Sequence, residues 1–294
     1  MKPPFENTEA ARVVAMAVRT RSVIVGFDRF TMWTDRPELP FDLSKIDEHC
    51  AEIKVYLEQM LHNPRWKCRV EIFQPTVKCL EILAEELGCA TAVLINYIEI
   101  AFDLRSKNRR QIRARRNHFL ESAKILHLPH DVVLEKNGNA FYCGGRRSPS
   151  VLTVYADKPS KLNNARPPEG APPCAHQEFR KTGEGAVAES GIVSVNDLIH
   201  FDHLRFWNES LRFYKIPTNK TQLGRLLATA CGDSVDVTGS ALRKRATRWT
   251  KKHSIVDGRS DVFVMHNALR ANPDLEKLLP KMSFMDWLAE VMSL

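Results

Sequence analysis

Apolar and polar positions alternate along several stretches of the chain and recur at helical spacing along others. Val23 to Thr34 (VIVGFDRFTMWT) is rich in β-branched and aromatic residues and predicts a first strand, with Asp28 inside it. Ser44 to Leu61 places Ile46, Cys50, Ile53, Tyr56, Leu57, Met60 and Leu61 at helical spacing. This predicts an amphipathic helix, with Asp42 or Ser44 as N-cap and Pro64 just past its end. Trp66 to Phe73 alternates and predicts a second strand. Pro75-Thr76 then opens a helix over 76–87 that stops at Gly88. Val93 to Leu104 (VLINYIEIAFDL) carries the strongest strand pattern. Ile98, Ile100, Phe102 and Leu104 form its core face, so Tyr97, Glu99, Ala101 and Asp103 share the other.

A helix follows from the segment 105–116 to about Leu126. Strands are predicted near 131–135, 139–143, 151–156 and 174–180. The Pro-rich connection between the last two is long for a hairpin, so it is a lid or an insertion. Val195 to Phe213 predicts one long helix. After Pro217-Thr218-Asn219-Lys220 the pattern changes to a helix over 221–230, a turn over 235–239 and a helix over 240–250. Asp261 to Met265 could form a wing strand, and Asp274 to Leu294 predicts a closing amphipathic helix. The expected fold class is α+β: a mainly antiparallel central sheet with flanking helices, plus a mostly helical C-terminal part of helix-turn-helix or winged-helix outline. The expected division is 1–216 and 217–294.

With 294 residues and 44% hydrophobic positions the chain can build a sizeable core. No apolar run is long enough to span a membrane, and residues 1–9 lack the pattern of a secretory signal. Seven cysteines without CxxC spacing argue against zinc or a disulfide framework and for the cytoplasm. The formal net charge of +8 points to a polyanionic partner. The charge is clustered: Arg105 to Arg116 holds seven basic residues and no acid, and Arg243 to Lys252 holds six and none. Each run alone reads equally well as a solvated helix face, but two acid-free runs favour nucleic acid. Neither has a broad apolar face beside it, which disfavours a membrane surface.

Candidate chemistry gathers around Tyr155. Thr153, Tyr155 and Asp157 share one strand face, as do His176 and Glu178 on the next strand. Glu99 and Asp103 stand four residues apart, about 13 Å in a strand. One of them joined by Glu178 is therefore the more physical metal-binding pair. Carboxylates hold hard cations such as Mg²⁺ or Mn²⁺. A cation or Lys158 would favour the ionised form of the tyrosine, and Arg146 and Arg147 can bind phosphate. Taken singly, a strand tyrosine is packing, a strand glutamate is a solvated face, and His176 is structural.

The order of these pieces is more specific. Phe141-Tyr142-Cys143-Gly144-Gly145-Arg146-Arg147-Ser148, then Val154-Tyr155-Ala156-Asp157-Lys158, follow Tyr97-Ile98-Glu99-Ile100-Ala101-Phe102-Asp103. Over residues 20 to 215 this resembles the replication initiators of rolling-circle plasmids and filamentous phages, the transesterases that lack a paired-histidine metal motif. The resemblance implies an HUH-endonuclease-like nicking domain with Tyr155 as nucleophile and Lys158 beside it. It implies a 5′-phosphotyrosine, a free 3′-hydroxyl, and a divalent metal held by Glu178 with Asp103 or Glu99; His176 either joins Glu178 on the metal or contacts phosphate in place of the family's arginine. It also implies origin DNA as partner, hairpin or single-stranded at the nick, with host helicase and polymerase, and is compatible with a homodimer. Arg109, Arg110, Arg113, Arg146 and Arg147 would contact DNA, as would Arg243, Lys244, Arg245 and Arg248 in the C-terminal part. Thr153, Ala156 and His176 depart from the family's Arg, Asp and Arg at the matching positions. Those departures keep open a DNA-binding regulator without catalysis; a relaxase-like mobilisation protein would use the same chemistry, although the missing His-x-His motif argues against an ordinary relaxase. A tyrosine recombinase needs a helical catalytic domain, which the strands around Tyr155 oppose.

Overall fold

The structure is a computed structural model that describes residues 16–17, 22–135, 140–145, 147–163, 170–233, 237–258 and 260–294. The chain divides into two compact units. One comprises residues 20–112 and 145–206. The other comprises residues 1–19, 113–144 and 207–294.

The first unit is a mainly antiparallel sheet with helices packed against it. Strands β1 (Val23–Thr34), β2 (Glu52–Tyr56) and β3 (Cys68–Phe73) precede helix α1 (Val77–Leu87). Thr76 caps α1 by accepting from the Cys79 amide at 3.1 Å. Strand β4 (Val93–Arg105) leads to helix α2 (Arg109–Ser122), which crosses into the other unit. After β5 (Ala123–Ile125), β6 (Val132–Leu134) and β7 (Ala140–Cys143), the chain returns as β8 (Ser150–Pro159) and β9 (Pro173–Thr182). In this unit the strands lie in the order β2-β3-β1-β4-β9-β8, each antiparallel to its neighbours. Ile98 and Ile100 of β4 pack with Phe27, Phe30, Ile72 and Leu83, as the alternation predicts. Two short helices, α3 (Glu184–Ala188) and α4 (Val195–Ile199), add Val187, Val195 and Leu198 to that core.

Ser44 to Leu61 is not a helix. It forms two 3-10 turns, Leu43–Lys45 and Asp47–His49, followed by β2. Ile53 and Val55 pair across from Ile72 and Val70, so β-branched residues follow the period of the sheet. Val195 to Phe213 is likewise three elements: α4, α5 (His203–Ser210) and β10 (Leu211–Tyr214). Ser194 and Asp197 form a capping box on α4, and Asp202 accepts from the Arg205 amide to restart the chain as α5. Pairing of β10 with β5 then takes its end into a sheet.

The second unit contains α6 (Lys220–Ala230), α7 (Gly239–Lys252), β11 (Ser254–Val256), β12 (Asp261–Phe263) and α8 (Met265–Ala271). The closing segment is α9 (Leu275–Leu278), β13 (Lys281–Met282) and α10 (Phe284–Met292) rather than one helix. Pro280 blocks continuation, and Ser283 caps α10 by accepting from the Asp286 amide at 3.0 Å. The predicted helix end near Leu126 moves to Ser122, because Ala123–Ile125 pairs with β10. The sheet β13-β10-β5 carries an aromatic cluster in which Phe213 stacks on Trp287 at 4.6 Å and Phe119 meets Trp287 edge-on at 5.6 Å. Residues 235 and 236 of the expected turn over 235–239 lie outside the described residues, and Thr238 caps α7 by accepting from the Ala241 amide at 3.4 Å.

Helices α6 and α7 approach very closely at Gly224. A Cβ there would stand 2.3 Å from the backbone oxygen of Leu242. Alanine in a helix is ordinarily worth about 1 kcal/mol over glycine. Here the contact is backbone and cannot swing away, so the helices must part. Gly224→Ala is expected to destabilise the chain by about 1–3 kcal/mol, read as a lower thermal midpoint. An unchanged or raised midpoint would refute this packing.

Candidate active site

The central strands set the site. Antiparallel register places Tyr155 of β8 opposite His176 of β9, and His176 opposite Asp103 of β4. One step along the same face, Thr153, Glu178 and Ala101 form the next row. Val151, Arg180, Glu99 and Arg29 form the third. A bulge in β1 between Phe27 and Arg29 inserts Asp28 into this arrangement.

The side chains converge on His176, which is 3% exposed. Its Nδ1 lies 2.6 Å from Asp103 Oδ1, and its Nε2 lies 3.3 Å from Glu178 Oε2. The Tyr155 ring stacks on the imidazole with centroids 4.5 Å apart. Lys158 Nζ stands 5.3 Å from the centroid of the Tyr155 ring. Asp28 receives a 2.6 Å hydrogen bond from the Gln74 amide, and ligand atoms of Asp28, His176 and Glu178 all lie within 4.8 Å of one another.

Three carboxylates around one imidazole leave an excess of negative charge even when His176 is protonated. Burial alone would lower the His176 pKa, but Asp103 and Glu178 outweigh it and push it up to about 10. Burial pushes the Asp28 carboxyl up; Glu178 and Asp103 add to this, while His176 and Gln74 oppose it. The Tyr155 phenol is raised as well, first by burial and then by Asp28, Asp103 and Glu178. Ionising Tyr155 in this field is costly without a further positive charge.

The residues fit a divalent cation. The ligand atoms of Asp28, His176 and Glu178 lie close enough together, with His176 Nε2 and Glu178 Oε2 3.3 Å apart, that one ion could touch all three. Two carboxylates and one imidazole are donors that a divalent cation can use. Asp103 Oδ2 is buried without a hydrogen-bond partner, and Asp103 is fully buried. An orphaned carboxylate oxygen this deep is better tolerated beside concentrated positive charge.

Of the sequence-derived site residues, Tyr155, Lys158, Asp103, His176 and Glu178 come together. Glu99 lies in the adjacent cluster. It accepts from Arg29 at 3.1 Å and from the Tyr97 hydroxyl, with Arg180 Nε 3.5 Å away. Burial and then Glu178 raise its carboxyl to about 7, against the lowering effect of Arg29. Arg180 also reaches Glu178 at 3.4 Å and ties the two clusters together.

Arg147 is exposed in the turn before β8, where the Gly145 amide donates to Ser148 Oγ at 2.9 Å; Arg146 lies outside the described residues. Arg109 and Arg110 are exposed on the first turn of α2, and Arg113 is half-buried. Arg243, Lys244 and Arg248 are exposed on α7. Arg245 is half-buried and paired with Asp233.

Sequence reasoning assigned no role to Asp28, Arg29 or Arg180. An acid inside an apolar strand was the available signal for Asp28. The bulge that turns it toward His176 has no signature in the side-chain pattern. Gly26 has a similar hidden role: a Cβ there would stand 2.8 Å from Asn163 Oδ1, whose side chain donates to the Val25 carbonyl at 3.1 Å.

No family model matches the chain, and no curated protein matches it. Among solved structures it is similar to a rolling-circle replication initiator protein from Geobacillus stearothermophilus. That match has 12% identity, covers 69% of this chain and 91% of the other, and has a TM-score of 0.35.

The His176 environment makes a pH prediction for the metal-free protein. Its folded-state pKa, about 10, exceeds the ordinary 6.5. The stability it contributes is full below pH 6.5 and is lost as pH rises toward 10. Thermal midpoints in EDTA should therefore fall on alkalinisation through that window, and His176→Gln should flatten the fall. An equal slope in the variant would show that His176 does not carry the effect.

Proposed function

We propose that the chain is a replication initiator that nicks one strand of DNA through Tyr155 in a metal-dependent transesterification. The observation that carries this reading is the stack of Tyr155 on His176, which also lies within hydrogen-bond reach of Asp103 and Glu178. The resemblance read from the Gly-Arg turn, the tyrosine strand and the acidic strands supports the same chemistry.

Asp28, His176 and Glu178 would hold a divalent cation, Mg²⁺ or Mn²⁺, which when bound polarises the scissile phosphate and offsets its developing charge. Asp103, 2.6 Å from Nδ1, would hold the imidazole by accepting from Nδ1–H, so that Nε2 would be the nitrogen available to the ion. Asp103 is thus a positioning residue in this reading, and Glu99 orients Arg29 and Arg180 rather than binding metal. The Tyr155 oxygen attacks phosphorus, the bond from phosphorus to the 3′-oxygen breaks, and a 5′-phosphotyrosine forms. The proton lost by the phenol balances the one gained by the released 3′-hydroxyl, so resealing is the same step reversed. Lys158, with its ammonium over the Tyr155 ring, favours the phenolate. The exposed Arg109, Arg110 and Arg147 are available to phosphates on either side. The setting is the bacterial cytoplasm, where a host helicase and polymerase would use the 3′-hydroxyl. No helix among the described residues is long and apolar enough to cross a membrane.

The direct test is a supercoiled plasmid carrying the element's own origin, incubated with wild type or Tyr155→Phe in Mn²⁺ or EDTA. Open-circle product and a covalent adduct are expected only with wild type and metal. Nicking that survives Tyr155→Phe would move the nucleophile elsewhere. Tight binding without nicking under any metal would leave a DNA-binding regulator. The positioning role of Asp103 is tested separately by the affinity for Mn²⁺, read from the free-ion paramagnetic signal. Asp103→Asn is expected to weaken binding about 10–100-fold, and Asp28→Asn or Glu178→Gln to weaken it further. Unchanged binding in those variants, with loss in Glu99→Gln, would place the ion in the other cluster.

A further inference from the structure

We infer that a one-residue bulge in β8, formed by Ala156 and Asp157, is the device that carries Lys158 onto the face of Tyr155, with Asp157 as the positioning residue that holds it. The placement stands on register and distance. Its consequence for catalysis rests on the reading of Tyr155 as nucleophile.

A regular strand turns residues i and i+2 to one face and residues i and i+3 to opposite faces. Tyr155 and Lys158 are three apart, so unbroken alternation would put Asp157 on the Tyr155 face and Lys158 behind it. The structure does otherwise. Tyr155 pairs with His176 and Lys158 pairs with Cys174. Ala156 and Asp157 therefore stand together opposite Ala175, the single residue between those partners on β9. The extra residue resets the alternation. Lys158 shares a face with Tyr155 as Cys174 shares one with His176, and Lys158 Nζ stands 5.3 Å from the centroid of the Tyr155 ring.

Three features hold the bulge. Asp157 has a φ of 74°, in the left-handed region, which aspartate and asparagine enter more readily than other residues with a side chain. The buried Cys174 thiol donates to the Lys158 carbonyl at 3.2 Å, so an acceptor just past the bulge has a partner. Pro159 faces Pro173 in the next pair, and neither can donate to a ladder. Only the pair of Lys158 and Cys174 lies between the bulge and those prolines. The position of Lys158 is thus set by the bulge and not by a longer run of strand.

Ala156 itself carries no polar group. It and Asp157 exceed by one residue what the β9 register accommodates. Removing one of them would leave Tyr155 and Lys158 two apart, with the same partners and on the same face. Moving the lysine into the bulge would take it off that face without changing the length of the chain.

The test uses the full chain with meta-fluorotyrosine at position 155, whose fluorine resonance responds to a nearby charge. Lys158→Met should shift that resonance. Deletion of Ala156 should preserve the response, so that Lys158→Met shifts the resonance in that background too. Asp157→Lys/Lys158→Asp and Asp157→Met/Lys158→Asp, which place a lysine or a methionine in the bulge, should give the same resonance as each other. Nicking of the origin plasmid in Mn²⁺ should proceed close to the wild-type rate after deletion of Ala156 and about 100-fold more slowly in Asp157→Lys/Lys158→Asp. Asp157→Gly should hold or raise the thermal midpoint and Asp157→Val should lower it, because glycine accepts the left-handed backbone and a β-branched residue does not. A resonance indifferent to Lys158→Met, or a response lost on deletion of Ala156, would overturn the inference. So would a difference between the two bulge variants, or the reverse order of the thermal midpoints. If nicking survives Tyr155→Phe, the nucleophile reading fails while the fluorine comparisons still decide the placement of Lys158.

Discussion

A histidine buried between two carboxylates in the middle of an antiparallel sheet is the constraint around which the first unit is arranged. Asp103 and His176 face each other across β4 and β9, and neither is open to solvent. A buried carboxylate without a partner is costly, so His176 must stay close enough to share a proton with Asp103. That requirement reaches the register of both strands. A slip of one residue would turn both groups into the apolar layer formed by Phe102 and its neighbours. The same register sets Tyr155 against the imidazole. The nucleophile proposed above is thus positioned by the pairing that settles the buried charges.

Two clusters share that face and answer the same electrostatic problem differently. Around Glu99, arginines from two neighbouring strands supply the opposite charge, so the cluster is balanced within the protein. Around His176, three carboxylates, Asp28, Asp103 and Glu178, face the imidazolium and the Arg180 guanidinium that Glu178 shares with Glu99. Structural ion pairs tend toward the first arrangement, because a residual charge in low dielectric is destabilising. The second is what a cation site requires of its protein. The contrast between adjacent rows of one sheet is what favours the His176 cluster over the Glu99 cluster in the proposed reading.

Strands with one clear period were legible in the sequence. The alternation of β4 put Ile98 and Ile100 in the core and Glu99 and Asp103 opposite, as the structure has them. The Tyr155 and His176 strands were also read correctly, and their pairing follows from being consecutive in the chain. What escaped was decided by partners far away in sequence. Ile53, Tyr56 and Leu57 fit a helix when spacing alone is counted, but Ile72 and Val70 supply a sheet neighbour that spacing does not show. The end of the predicted long helix became β10 for the same reason, since β5 and β13 lie about 90 residues before it and 70 after it. Asp28 depends on a one-residue bulge, a backbone event that leaves no mark in the side-chain pattern.

The two basic runs look alike in sequence and are used differently in the fold. In the first, Arg115 and Arg116 are buried; Arg116 pairs with Asp257 and lies 5.1 Å from the centroid of Phe141. That half of the run is spent on packing its own unit, and burial lowers the Arg115 pKa. In the second run, burial takes Leu242 and Ala246 instead, and Asp233 takes Arg245. The remaining cations face outward along a rigid helix. Counting charges could not separate these outcomes. The difference lies in where apolar residues interrupt each run. Ile112, Phe119 and Leu120 leave the arginines between them partly inside, whereas Leu242, Ala246 and Trp249 recur on one side of α7 and clear the other. Net charge therefore indicates the class of partner, and the period of the apolar residues within a basic helix indicates how much of that charge the partner can reach.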